Sequence, residues 1–415
     1  MLALARTPGP LRRFLLISLQ SSVGNAIGYV ALLLLAYEKF HSPWAVSLVL
    51  LADFLPAIVL APLFGALADR WSRRLIVVGA DLLRCAAFAG LAFAESFEVI
   101  LALALVAGMG AALYHPASKS ALAGLAGDRA EMAMGALVTS WSAASVAGPA
   151  LGAALLLAVS PSTLLALNAA TFVVSALVLS RLALDRKETV AGSVAASDNI
   201  NLAIAAGELV TAHDPDAAVG HGVRAGIRSA RGVPGLGVIV GAGSAATLAF
   251  SLMNVAEVLL ARGELHASPA GFGLLVCVYG IGSAVGALRG RADVRILVGC
   301  LAAGGLSLCA SAVAVSLPVA VITFLATGLF AGAVMSSDHQ LVMRLAPPKI
   351  RGRVFGLKDS LDSIAFSTAF VGGGAIASLA GSRAVFAASG IGALVVAALA
   401  AVVLRRARVA VVAPS

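Results

Sequence analysis

The sequence predicts an all-α polytopic membrane protein: twelve transmembrane helices arranged as two six-helix bundles. Three observations carry that expectation: an extreme apolar content, twelve apolar runs of membrane-spanning length, and one long polar interruption that divides them six and six. Of the 415 residues, 60% are hydrophobic and 12% charged, and mean hydropathy is +1.00. Soluble domains run at about 45–50% apolar and about 25% charged. A bilayer core takes about 20 consecutive apolar residues per helix. A membrane β-barrel would instead show alternating segments of about 10 residues with a polar lumen face, a pattern the runs do not have.

Spans 1 to 6 fall at about 14–36, 44–66, 75–94, 97–114, 132–159 and 162–180, and spans 7 to 12 at about 236–260, 271–289, 296–316, 319–343, 354–380 and 384–404. Span 1 follows Arg12 and Arg13 as a signal peptide would, but it is about 23 residues long and no small-residue cleavage site ends it, so it is expected to remain as a helix. Span 2 carries Asp53, and span 3 carries Asp81 and Arg84. Span 4 is expected to end at Tyr114-His115-Pro116-Ala117, before a small charged loop and a Gly-rich span 5 with Gly148-Pro149. Span 7 carries Glu257, span 10 is expected to end at Ser337-Asp338-His339-Gln340, and span 11 holds Gly372-Gly373-Gly374. The two halves correspond by helix number rather than by identity, a weak parallel repeat.

Three domains follow: an N-terminal bundle at 1–184, a central loop at 185–235, and a C-terminal bundle at 236–415. In the loop, Val219, Val223 and Ile227 recur every four residues, with Arg224, Arg228 and Arg231 on a neighbouring face. Either a basic amphipathic helix on anionic headgroups or a solvated tether fits that spacing.

Basic residues set the expected orientation, because short loops rich in Lys and Arg stay cytoplasmic. With both termini inside, the outer loops hold only Lys39, Arg262 and Arg383, which is 3 of 29 basic residues. The net charge of +9 is then a topology signal facing an anionic inner leaflet. Nucleic acid is not an expected partner, since no basic stretch interleaved with aromatics lies on a soluble module. Cys85, Cys277, Cys300 and Cys309 lie inside spans without CxxC spacing, and the six histidines form no HxxxH pair. The cysteines read as small apolar residues rather than disulfide or metal ligands; no metal and no cofactor is expected.

Between spans 2 and 3 the chain reads GALADRWSRR, from Gly65 to Arg74. This resembles the loop motif of the major facilitator superfamily: Gly65, Asp69, Arg70, Arg73 and Arg74 match, and Ser72 stands where the family usually has a second glycine. In span 5, Gly148, Pro149 and Gly152 match the family's antiporter motif, with Ala144 and Ala153 replacing glycines. The second-half copy of the loop motif, Gly286-Ala287-Leu288-Arg289-Gly290-Arg291, lacks the acid. Asn254 to Arg262 and Pro347 to Gly356 are similar to the bacterial drug-exporter branch that also contains macrolide and enterobactin exporters. The resemblance covers the chain outside the central loop and implies a major facilitator fold with a cavity bounded by helices 1, 2, 4, 5, 7, 8, 10 and 11.

Asp69 directly follows span 2, where its carboxylate can meet the exposed amides of a neighbouring helix start. The resemblance makes that neighbour span 11, near Gly352 to Gly356, and Asp69 a latch for the outward-facing state worth about 0.5–2 kcal/mol. The loop's arginines are expected to fix topology and partner nearby acids; a purely topological loop would explain them but not Asp69. Gly148 and Gly152, four apart, allow close helix approach, and Pro149 bends the helix. The resemblance reads this as a seal against proton leak; close packing alone needs the same residues.

Acids within spans are the proton-coupling candidates, because charge at bilayer depth is costly. Asp53 comes first, about 13 Å along span 2 from Trp44. Asp359 and Asp362 share a face of span 11, with Lys358 expected to snorkel inward. Glu257, near the outer surface, and Asp338, near the inner end of span 10, read either as gate partners or as hydrated side chains. Asp81 and Arg84, three apart and shallow, read as a structural ion pair. Asn25 in span 1 is expected to bond substrate or a neighbouring helix.

No catalytic residue is expected, since a polytopic enzyme would need a metal-binding carboxylate cluster or a nucleophile and base, and only Asp359 and Asp362 lie close together. The expected protein is therefore not an enzyme. It is a secondary transporter, a monomer in the inner or plasma membrane, that exports a small amphipathic compound of drug, macrolide or siderophore class in exchange for protons. Import or lipid flipping on the same fold, or a non-transporting scaffold, remain the alternatives.

Overall fold

The computed structural model describes residues 9–60, 64, 67, 71–184 and 226–406, and all of its regular structure is helical. We number the helices α1 (Gly9–Phe40), α2 (Pro43–Val59), α3 (Arg73–Phe93), α4 (Phe97–Ala126), α5 (Ala130–Leu155) and α6 (Pro161–Ser180). After the central loop come α7 (Leu236–Glu264), α8 (Pro269–Arg289), α9 (Val294–Ala312), α10 (Leu317–Leu345), α11 (348–380) and α12 (382–406). Among the described residues nine helices are long and apolar enough to cross a bilayer, with Ile350–Leu404 counted as one. Division of that segment at Gly381, together with the 17-residue α2 and the 26-residue α5, accounts for twelve.

Local chemistry sets many of the boundaries. The hydroxyls of Ser72, Ser96 and Ser160 accept from the amides of Leu75, Val99 and Thr163, capping α3, α4 and α6. Pro43 and Pro161 open α2 and α6, where a missing N–H costs nothing. Gly381 adopts φ 84°, a left-handed conformation that ends α11 and starts α12 without an intervening loop.

Two helix ends differ from the sequence expectation. Helix α4 does not stop at Tyr114 but continues to Ala126, with Pro116 inside it and Gly127 at φ 54° closing it. Helix α10 likewise runs past Ser337 to Leu345. Hydropathy marks where the bilayer ends, whereas a helix can extend into water beyond it. Helix α2 closes at Leu60, whose amide bonds to Pro56 O, and the described residues Phe64 and Leu67 beyond it are again helical. Most of the central loop, including Val219, Val223 and Arg224, lies outside the described residues; 226–231 form a short helical turn.

Backbone contacts divide the chain into two compact units, Met1–Glu188 with Glu257–Cys277, and Thr189–Ala256 with Val278–Ser415. In unit 1, α1 packs on α2, α4, α5 and α6, while α3 packs on α4 and α6. Gly24 and Gly28 of α1 face the Asn168 side chain of α6 so closely that a methyl at either would collide with it. In unit 2 the pairing recurs six helices on. Gly373 of α11 and Gly392 of α12 lie against α7, and Gly305 of α9 meets Gly390 of α12. Gly282 and Gly286 of α8 face the α10 backbone at Leu325 and Leu329, and Gly328 and Gly332 of α10 face Tyr279 and Ser283. Two glycine pairs at four-residue spacing thus bring two backbones into direct contact.

Candidate functional site

In unit 1, the carboxylate of Asp81 and the guanidinium of Arg84 form a buried ion pair, 0% and 2% exposed. The ring centroids of Tyr114 and Phe172 each lie 4.3 Å from the Arg84 guanidinium carbon. Gly110 makes room for the Arg84 stem. The pair is not shallow: it sits mid-way along α3, enclosed by α4 and α6. The arginine's charge is matched and its faces are covered by aromatic rings, while Arg84 Nε and Asp81 Oδ2 stay buried without a hydrogen-bond partner among the described residues.

Asp53 is half-buried on α2, and its side chain makes no hydrogen bond or ion pair among the described residues. Its backbone carbonyl is pressed against Gly108 of α4, where any side chain would clash. Asn25 is half-buried and likewise has no partner among the described residues; the buried amide in the helix seam is Asn168 instead, bonded by Thr171. Gly148 packs against Ala26 of α1 with no room for a methyl, whereas Gly152 stands at ordinary contact, 3.8 Å or more from Ile27. Pro149 lies within α5.

The far part of α7 belongs to unit 1. Its helix is interrupted at Leu252 and widens to a π-helical turn over Leu259–Glu264, an irregularity common at functional positions. Beside it, Glu257 is 3% exposed and accepts a 3.5 Å hydrogen bond from the Tyr29 hydroxyl of α1. It is buried rather than hydrated. Arg262, inside the wide turn, donates to Glu38 Oε1 of α1 at 2.9 Å and to Ala267 O at 2.6 Å. The other basic residues assigned to the outer side are engaged too: Lys39 pairs with Glu95 at 2.7 Å, and Arg383 donates to Ala312 O at 3.0 Å.

Unit 2 holds a second polar group. Lys358 of α11 does not snorkel to a surface; it is buried and bridges Asp338 of α10 at 2.8 Å and Asp362 at 2.7 Å. Asp362 also accepts from Ser244 of α7 at 2.6 Å. Asp359 is exposed and takes no part in this bridge, so the two acids of span 11 are not brought together. Asp338 is 3% exposed rather than hydrated. The spacing of Lys358 and Asp362 was a legible signal; Gly243, Ser244, Tyr29 and Glu38 carried none, because their roles arise from another helix.

Of the loop residues, Gly65, Asp69 and Arg70 lie outside the described set. Arg74 is exposed, and Arg73 donates to the backbone carbonyl of Ser120 at 3.4 Å. Among the described residues no three His, Cys, Asp or Glu side chains could jointly hold a metal ion.

Membrane-length helices enclosing buried ionisable groups define a multi-pass membrane transporter, and the comparisons agree. The sequence profile of the Major Facilitator Superfamily matches residues 14–259 and 238–415. The chain belongs to that superfamily and is not an enzyme. It is 27% identical over 386 residues to "Uncharacterized MFS-type transporter YfiS" of Bacillus subtilis (strain 168), covering 89% of this chain and 87% of that protein. It is 30% identical over 168 residues to "Putative bacilysin exporter BacE" of the same organism, covering 40% of this chain and 42% of that one. The crystal structure of the human organic anion transporter MFSD10 (TETRAN) shares the fold, with TM-score 0.59 at 18% identity, over 95% of this chain and 100% of that one.

Proposed function

We propose that this transporter exports a small amphipathic compound in exchange for protons by alternating access, as a monomer in the plasma membrane with both termini cytoplasmic. The observation that carries the reading is a pair of acids at span depth held in no direct ion pair among the described residues: Asp53, which feels the charge of Arg84 without a hydrogen bond to it, and Glu257, held by the neutral hydroxyl of Tyr29. Such groups are costly in a membrane unless their protonation belongs to the working cycle. Export is supported by the partial similarity to a protein named as an exporter and by the tight seat of Gly148 on α1. The latch role is assigned to Asp69 on its sequence motif, which includes Gly65, Arg70, Arg73 and Arg74. Substrates of drug, macrolide or siderophore type suit an apolar pathway with few fixed polar groups.

The test is proton-driven efflux of fluorescent lipophilic dyes from everted vesicles, comparing the intact protein with Asp53→Asn and Glu257→Gln. Gradient-dependent transport that is lost in either variant supports antiport through that acid. Transport indifferent to a collapsed gradient sinks the antiport reading, and accumulation in the opposite direction replaces export by import.

A further inference from the structure

The bridge in unit 2 carries one more negative charge than positive. Asp338 and Asp362 face a single ammonium, that of Lys358. Among the described residues the charged groups facing Asp338 are these two, both on α11; His339, its neighbour on α10, packs at a tilt against Phe355 with ring centroids 4.7 Å apart. From α7 no charge approaches: Gly243 lies directly against the Asp338 carboxylate, and Ser244 and Thr247 turn their hydroxyls to Asp362. Asp362 therefore has three partners, while Asp338 has Lys358 on Oδ2 and a buried Oδ1 with no hydrogen-bond partner. An orphaned carboxylate oxygen that is sealed from water is an acceptor waiting for a cation. A metal ion needs several oxygen ligands around an open volume, whereas Gly243 closes the space and leaves room only for a proton.

We propose that the triad of Asp338, Lys358 and Asp362 binds the coupling proton, with Asp338 Oδ1 as the accepting atom. The proposal rests on the proton-coupled reading and adds a proton site in unit 2 to the acids Asp53 and Glu257. Uptake of one proton takes the triad from a net charge of −1 to neutral. Asp338 then no longer holds Lys358, which remains with Asp362, and the contact between α10 and α11 loosens. Release of the proton restores the bridge. Gly243 is a positioning residue: its missing side chain is what lets α7 close over the carboxylate.

The test is infrared difference spectroscopy of the full-length protein in liposomes, acid minus neutral pH. It reads the carboxylic C=O absorption of a buried acid without any transported compound. Exposed carboxylates titrate alike in all variants and cancel when the spectra are subtracted. The expected result is that Asp338→Asn removes one carboxyl's intensity from the difference spectrum, while Asp53→Asn and Glu257→Gln leave that band in place. A band that persists in Asp338→Asn, or disappears instead in Asp53→Asn or Glu257→Gln, overturns the proposal. Should Asp338→Asn fail to fold, Gly243→Ala displaces the carboxylate without deleting it: a shifted band supports the site, and a spectrum identical to the parent's overturns it. Ethidium efflux from everted vesicles, with and without a protonophore, tests the underlying reading separately. Efflux unaffected by the protonophore, with the band still lost in Asp338→Asn, ends antiport but leaves the proton site standing.

Discussion

The guanidinium carbon of Arg84 lies 4.3 Å from the ring centroid of Tyr114, with Phe172 at the same distance and the Asp81 carboxylate completing its charge balance. This is an arginine built into the interior of unit 1, and it makes α3 the electrostatic axis of that unit. Arg84→Met strands Asp81 as a buried unpaired acid, with an expected cost of about 3–5 kcal/mol. The Asp81→Asn, Arg84→Met double variant is expected to recover much of that loss, because no charge is left uncompensated. Thermal unfolding of the four proteins in one detergent reads the cycle; additive losses would show that the two residues do not act as a pair.

Glycines 328 and 332 meet the α8 backbone, so a side chain at either must separate two helices rather than displace a flexible neighbour. Gly328→Leu is expected to abolish folded protein on size-exclusion chromatography. Gly79→Ala, which meets open space, is expected to change stability by no more than about 0.5 kcal/mol. Equal yields of the two variants would refute the seam.

Gly148 and Gly152 look alike in sequence, yet only the first is seated without room for a methyl. Gly148→Val is expected to lower the unfolding temperature clearly and Gly152→Ala hardly at all, since the penalty scales with overpacking, about 1–3 kcal/mol for a tight site. The reverse order would show that α5 packs on α1 through a different register.

Arg262 and Glu38 are 25% and 32% exposed, so their ion pair should be worth about 0.5–1 kcal/mol, in the range of partly solvated bridges. Glu38→Gln and Arg262→Gln are each expected to speed reaction of a cysteine at position 29 with a water-soluble maleimide. The charge-swapped double variant should return the rate toward that of the parent. An unchanged labelling rate in all three would show that the Arg262–Glu38 pair does not shield position 29.

Some of this was readable from residue order alone. Asp81 with Arg84, and Lys358 with Asp362, sit three and four apart, and helix geometry makes such neighbours adjacent whatever surrounds them. Composition likewise required helices, since a backbone inside lipid must satisfy its own hydrogen bonds. The lengths of α4 and α10 were less legible, because hydropathy falls at the membrane surface while the helix continues until a residue such as Gly127 breaks it. The partner of Lys358 across the α10 and α11 seam was invisible: Asp338 is twenty residues away, and nothing local to either points at the other.

Sequence by itself therefore determined the fold class, the order of the helices and the pairs formed within one helical turn, because those depend on interactions that are local or shared with the solvent. Tertiary structure alone decided the partners that lie on another helix. Glu257 of α7 meets a hydroxyl of α1, and Asp338 of α10 meets a lysine of α11 that it shares with Asp362. The physical reason lies in helix contact: a charge in a low-dielectric interior is governed by the few groups within hydrogen-bond reach, and close-packing glycines on facing helices choose those groups.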